Sequence, residues 1–355
     1  MRKTILTIIA LAASLSSFAQ MSDAQKAAAE AAKAVSAAPE AVQKVEKPKY
    51  WQESLKTNVT LGQTNLTNWA AGGDNTVSLA AYIDGNANWK KGDMFWNNRL
   101  QLDYGFLWAS SKPILQKNTD RIYLESKWGY KAPSTKYLYF SANYDFKSQF
   151  TTGYDYKTPT VEGLEGMDRN EQVNHWKDAR VLKSGFLAPA YTNLAVGIDL
   201  KPANWISLNI APVTGGVVIV RDELLRKNYG MHLKKEWEGV TEGVPTDGSE
   251  YRSARFEFGA QVKADIAVNV NENFKYTSQL VLFSNYIDHP ENIRVNWDNR
   301  FDWKLAKYFS LTLTTNMIYD DKVLIYSEAD GLTKQRIQFK ESLLFGFTWT
   351  IASKK

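Results

Sequence analysis

The chain has 355 residues, 44% of them hydrophobic and 13% aromatic, with twelve Trp, eighteen Tyr and sixteen Phe on a mean hydropathy of −0.39. Much aromatic surface on a polar average suits strands that turn one face to lipid and the other to water. Forty-three Lys and Arg stand against 38 Asp and Glu and there is no cysteine, which excludes disulfides, thiolate metal sites and thiol nucleophiles and leaves no strong basic field for nucleic acid.

Residues 1–19 read as a secretory signal. Arg2 and Lys3 form its charged start, Ile5 to Leu15 its apolar core, and Ser17-Phe18-Ala19 a small-x-small cleavage site. Without a cysteine there, lipoprotein anchoring is excluded, and losing Arg2 and Lys3 leaves 41 basic against 38 acidic residues. Beyond the signal no run of about 18 apolar residues occurs, so helical membrane spans are excluded. Residues 20–49 are rich in Ala, Glu and Lys, carry Pro39 and Pro48, and lack aromatics. They are expected to form a short helix around Ala24 to Val35 and a flexible periplasmic tether; a docking helix for a periplasmic or envelope partner is the other reading.

From residue 50 to 355 the pattern has period two, the mark of half-buried strands. Met94, Trp96, Leu100, Leu102, Tyr104, Phe106 and Trp108 share one face, and Asn97, Arg99, Gln101, Asp103 and Gly105 the other. Twelve such runs fall at about 54–64, 75–90, 93–109, 119–132, 136–150, 190–201, 205–214, 251–270, 273–287, 293–305, 308–321 and 335–352. They are long enough to cross a bilayer at a tilt, and lipid cannot satisfy an open strand edge, so an all-β, closed antiparallel transmembrane barrel of twelve strands is expected. Tight links at Lys91-Gly92, Pro133-Ser134-Thr135, Pro202-Ala203-Asn204, Asn271-Glu272 and Ala306-Lys307 alternate strictly with longer ones. Short turns belong to the periplasmic side of outer-membrane barrels, which puts both termini there. Trp89, Trp128, Trp205 and Trp303 beside tight turns, and Trp108 beside a long loop, read as interfacial girdles.

The lumen face alternates in charge: Arg99 and Asp103; Arg121, Glu125 and Lys127; Asp145 and Lys147; Asp199 and Lys201; Arg255, Glu257, Lys263 and Asp265; Arg294, Asp298, Arg300 and Asp302. Rings of one sign would argue for an ion-selective pore. Mixed signs fit either a self-neutralising lattice or a pore for small polar or zwitterionic solutes. Two connections, about Thr151 to Pro189 and Gly215 to Glu250, are unusually long. The first carries Glu162, Glu165, Asp168 and Glu171 without a calcium-loop spacing. The second, with Leu224, Leu225, Met231 and Leu233, needs apolar cover and is expected to fold into the mouth.

The blocks Leu66–Gly73, Lys127–Ala132, Asp145–Tyr154, Phe186–Tyr191 and Ala211–Gly216, in that order, resemble a family of Bacteroidota proteins grouped as domain of unknown function 3078. The resemblance spans about Trp51 to Ile351. It implies a Bacteroidota cell envelope and brings no activity and no catalytic residues. His175, His232 and His289 all fall in or beside long connections, and no HExxH spacing is present, so neither an enzyme, a metal site nor a cofactor is expected. The expected partners are outer-membrane lipid and lipopolysaccharide, the barrel-assembly machinery during biogenesis, and an envelope protein. A narrow passive channel for small polar solutes leads, a closed-lumen structural or partner-binding barrel is the alternative, and an outer-membrane hydrolase comes last.

Overall fold

Period-two alternation makes strands, and a computed structural model shows how they close. It describes residues 50–64, 75–327 and 331–352; the expected signal and tether lie outside the described residues. The wall consists of β1 (Trp51–Thr64), β2 (Thr76–Lys91), β3 (Met94–Ala109), β4 (Lys112–Lys131), β5 (Leu138–Ser148), β8 (Ala190–Ala203), β9 (Ile206–Ile219), β10 (Ala254–Asn269), β11 (Phe274–Asn285), β12 (Ile293–Lys304), β13 (Phe309–Tyr319) and β16 (Gln338–Ala352). Each pairs antiparallel with its neighbours, and β1 pairs with β16, so the twelve strands form a closed barrel. Two hairpins stand outside the wall: β6 (Gly153–Tyr156) with β7 (Arg180–Ser184), and β14 (Leu324–Ser327) with β15 (Leu332–Gln335).

The outward face is apolar and exposed on most strands, as Leu55, Ile83, Leu100, Leu124, Phe140, Val196, Phe258, Trp297 and Phe345 show. At the turn end the register brings Trp51, Trp89, Trp96 and Trp128 into one row across β1 to β4. Trp205 and Trp303 sit at neighbouring turns, and Tyr308 stacks on Trp349 at 5.5 Å. Such a ring of amphipathic indoles is what a barrel places where hydrocarbon gives way to headgroups. Trp108 stands at the opposite end, paired with Val77.

Three expectations need correction. Beside Trp108 there is no long loop: β3 and β4 continue as a hairpin through bulges near Gly105 and Leu107 and turn at Ser110-Ser111, so strict alternation of tight and long links fails at this connection. The turn after β4 covers residues 132–137 rather than three residues. The seventh run does not end at Thr214, because β9 continues to Ile219. A bulge at Pro212 and Val213 shifts the alternation by one residue there; proline, lacking an N–H, is tolerated at a bulge. The bulged backbone crowds Gly197, where an added Cβ would lie 2.1 Å from the Ile210 carbonyl oxygen.

The long connections are structured. The first holds β6, β7 and α1 (Arg169–Asp178), whose N-cap Asp168 accepts a hydrogen bond from the Asn170 amide at 3.0 Å. The second, with one helical turn α2 (Glu223–Arg226), packs Leu225 and Met231 against Ala188, Val218 and Val220. Arg255, on the inward face of β10, donates to the Tyr229 carbonyl at 3.1 Å. The segment therefore folds into the mouth, held by lumen-facing residues. Leu224 departs from expectation: it is exposed, and Leu225 provides the anchor.

Candidate functional site

The lumen face has the parity read from sequence, and its charges pair in two different ways. Glu125 and Lys127 on β4, Asp199 on β8, and Arg255, Glu257 and Lys263 on β10 lie buried. Lys263 reaches past β5, β8 and β9 to the Glu125 carboxylate on β4, and its ammonium is 3.9 Å from Asp265. Glu125 also accepts from the Tyr123 hydroxyl at 2.9 Å. Lys127 donates to Asp199 at 2.7 Å, Lys201 lies 3.2 Å from the second Asp199 oxygen, and Ser207 donates to the first at 2.9 Å. Asn209 donates to Ser141 at 2.8 Å, and Asp145 accepts from Asn193 at 2.9 Å. Lys263 is 2% exposed and Asp199 0%. Short side chains from β5 and β9, Ser141, Asn143, Asn209 and Thr214, leave the room in which the long ones lie down.

Around β2, β3 and β12, with Lys56 of β1 and Arg121 of β4, the charges meet end to end and several stay part-exposed. Arg99 binds Asp84 through two hydrogen bonds of 3.0 and 2.8 Å. Asp302 accepts from Lys56 at 2.7 Å and from Arg300 at 3.0 Å, and the Arg300 guanidinium stacks 4.4 Å above the Tyr82 ring. Arg121 donates to Asp103 at 3.0 Å and reaches Asp298 at 3.6 Å. Since β4 and β12 are six strands apart in either direction round the barrel, this last pair spans its full width. The Arg99 and Asp298 side chains remain 33% and 29% exposed. Lys147 is half-buried, and among the described residues no carboxylate lies within ion-pair distance of it.

Nearer the loops, Glu257 accepts from Arg255 at 3.0 Å and from Arg294 at 2.8 and 3.1 Å, while Arg294 lies 3.8 Å from Asp320 and covers the Phe283 ring at 4.6 Å. At the rim Lys322 contacts Asp288 at 2.8 Å. That hydrogen bond holds the Asp288 carboxyl below its usual range. Burial among the loops pushes the Tyr229 phenol up to about 12. Asp84, Lys56, Tyr82 and Tyr123 belong to the lattice although the sequence reading omits them; their signal was shared parity with the charges on the same strands.

A buried charge is tolerable when a partner and hydrogen bonds replace its water, as Lys263 has in Glu125 and Lys127 in Asp199. The histidines stand apart from the lattice: His175 lies in α1, and His232 and His289 lie in loops. Among the described residues no three His, Cys, Asp or Glu side chains gather as a metal site.

Residues 61–154 match the family described as "Protein of unknown function (DUF3078)". The match ends before the Phe186–Tyr191 and Ala211–Gly216 blocks. No curated protein is similar to the chain. Among solved structures it is similar to the translocator domain of the autotransporter NalP from Neisseria meningitidis, at 8% identity over 91% of this chain and 95% of that one, TM-score 0.35. The Pseudomonas putida toluene transporter TodX shares 9% identity over 86% and 89% of the two chains, TM-score 0.28. The ferric enterobactin receptor PfeA from Pseudomonas aeruginosa shares 10% over 78% of this chain and 46% of that one, TM-score 0.29. Likeness this distant transfers no ligand and no activity, and the barrel assignment rests on the strand pairing of this chain.

Proposed function

We propose that the protein is a non-enzymatic outer-membrane barrel of a Gram-negative envelope whose lumen is closed at rest, and that it serves as a structural or partner-binding element. In this reading the tight turns and both termini are periplasmic, and the long loops face outward. The observation that carries it is the ion pair Arg121–Asp298 between opposite strands, supported by the buried Lys263–Glu125 contact and the segment docked in the mouth. A water-filled pore would hold such groups apart, each in its own hydration. A narrow passage for small polar solutes is the second reading, favoured by the solvent retained around Arg99, Asp103 and Asp298.

Planar-bilayer recording of folded protein separates the two. The closed barrel should give no sustained conductance, and steady openings of intact protein would establish the passage instead. Membrane placement has its own test: Leu100→Arg, on the outward face, should cost roughly 2–4 kcal/mol or block assembly.

A further inference from the structure

The neighbour pairs of the wall differ in length at one place. Among the described residues each of the others pairs ten or more residues, with bulges interrupting the register of β3–β4, β8–β9 and β9–β10, whereas β1 and β16 pair over seven, from Ser54 with Ala352 to Thr60 with Gly346. Continued at the same register, Leu61 would face Phe345 and Gly62 would face Leu344. Among the described residues Leu61–Thr64 pair with β2 alone and Gln338–Phe345 with β13 alone. Gly346 is the last paired residue of β16 and Gly62 lies two residues past Thr60, the last paired residue of β1, so neither offers a side chain to hold the strands together.

The parting begins within the apolar band. Phe345 precedes the interfacial Trp349 by four residues on β16, about 10 Å along the membrane normal at the usual tilt, in a band about 25 Å tall. Backbone groups cannot be left open to hydrocarbon, so something polar must reach them. Beside the gap Leu343 is 66% and Leu61 59% exposed. Phe339 and Phe345 continue that apolar lip, which exposed Glu341 interrupts between Phe339 and Leu343 on the same face. On the inward side Lys340 is exposed and donates to the Asn118 carbonyl across the lumen at 3.0 Å; among the described residues no carboxylate lies within ion-pair distance of it.

We propose that the β1–β16 seam is a lateral portal at the loop end, admitting an amphiphile with an anionic headgroup. The headgroup meets Lys340 and the open backbone from inside, while the chain lies on Leu61, Phe339, Leu343 and Phe345. This rests on the membrane placement proposed above. An extended polypeptide strand would also satisfy the edge of β16, but β1 offers it four residues, and Lys340 would keep no anion.

The chain has no cysteine, so a staple can be introduced cleanly. Full-length protein is reconstituted in phosphatidylcholine vesicles containing phosphatidylglycerol with one diazirine on an acyl chain, which reads the outward face, and a second diazirine beside the headgroup, which reads the inward face, and photolabelled positions are mapped by mass spectrometry. Labelling of outward Leu100 and Leu124 reports membrane placement. The portal predicts additional labelling of inward Ser342 and Leu344, competed by unlabelled phosphatidylglycerol but not by phosphatidylcholine. Lys340→Gln should lower the inner labelling about fivefold and leave Leu100 unchanged. A Leu61→Cys/Phe345→Cys disulfide should abolish it until reduced, with heat-modifiable mobility confirming that each variant is folded. No label at Leu100 would remove the membrane placement and the portal with it. Label at Leu100 with none at Ser342, or inner label that survives the staple, would overturn the portal alone. Capture of a polypeptide in cells by benzoylphenylalanine placed at Ser342 would assign the edge to a strand partner and overturn the proposal as well.

Discussion

The two halves of the lumen solve the same electrostatic problem differently. Where β5 and β9 supply Ser141, Asn143, Asn209 and Thr214, the long side chains Lys127 and Lys263 cross over them and become buried with Asp199 and Glu125. Where β2, β3 and β12 supply long charged side chains, these meet tip to tip with one another or with Arg121 of β4, as in Arg99–Asp84 and Arg121–Asp298, and Arg99, Arg121 and Asp298 stay part-exposed. Similar pairs therefore differ in kind. A buried ion needs its partner to stay folded, whereas a solvated one keeps water in reserve and its loss costs little. The first half should therefore carry more of the stability, and in the proposed reading the second keeps the lumen closed.

The largest expected effect tests the buried half. Lys263→Met leaves Glu125 buried without its cation and should cost about 3–5 kcal/mol, read by urea titration of folding in lipid vesicles. Adding Glu125→Leu should recover most of the loss, because the carboxylate that lacked a partner is gone. An equal cost for Arg121→Ala would break the distinction between the halves. Next in size is the mouth segment, anchored on the same side through Val218 and Ala188. Leu225→Ala removes its buried anchor and should cost about 2–3 kcal/mol, seen as faster proteolysis and amide exchange of residues 220–253 while the wall stays protected.

The barrel was legible in the sequence because lipid and lumen impose opposite polarity on alternate residues of every crossing strand, and nearly all run boundaries fall within a few residues of the observed ones. The alternation fails as a guide where geometry departs from it. At Pro212 the bulge reverses parity, and Gly215-Gly216 then resembles a loop although both belong to β9. Gln116, Lys117 and Asn118 read as loop because they are polar, yet they belong to β4 as it continues past the bulges that interrupt its pairing with β3. The lumen charges were legible as a face but not as pairs. Nothing in the spacing places Arg121 opposite Asp298, or lets Lys263 reach Glu125; closure alone does that. Nor could composition show which half would pack, since that depends on small residues of one strand lying beneath long residues of another.

On the solvated side the expectation reverses: a small stability cost and a large functional change. Arg121→Ala removes a part-exposed pair and should cost about 0.2–1 kcal/mol, but it also removes the contact that spans the barrel. Bilayer recordings should show openings absent from the parent protein, with Asp298→Ala behaving alike. Silence from both variants would mean that the remaining lattice, or the docked mouth segment, closes the lumen without this pair.

The smallest effect is expected at the rim of that half, where the loop after β11 meets the residues after β13. Lys322 holds Asp288 at 2.8 Å with side chains 22% and 29% exposed, so solvent screening limits the pair to about 0.2–1 kcal/mol. The Asp288 carboxyl is depressed, first by the Lys322 hydrogen bond and then by the attraction of that ammonium against a little burial. Its contribution is therefore complete above the unfolded carboxyl value of about 3.9 and is lost as pH falls through the lower folded value. Lys322 is raised: burial opposes its charge, but the hydrogen bond to Asp288 and the pull of Asp321 outweigh it. Its contribution is complete below the unfolded lysine value of about 10.4 and is lost as pH climbs through the higher folded one. The tie thus holds throughout the neutral range and loosens in strong acid. Amide exchange of residues 286–292, corrected for intrinsic rates, should lose protection between pH 5 and about pH 3, and Asp288→Asn should show reduced protection at both. Equal acid sensitivity in the variant would place the titrating group elsewhere on the rim.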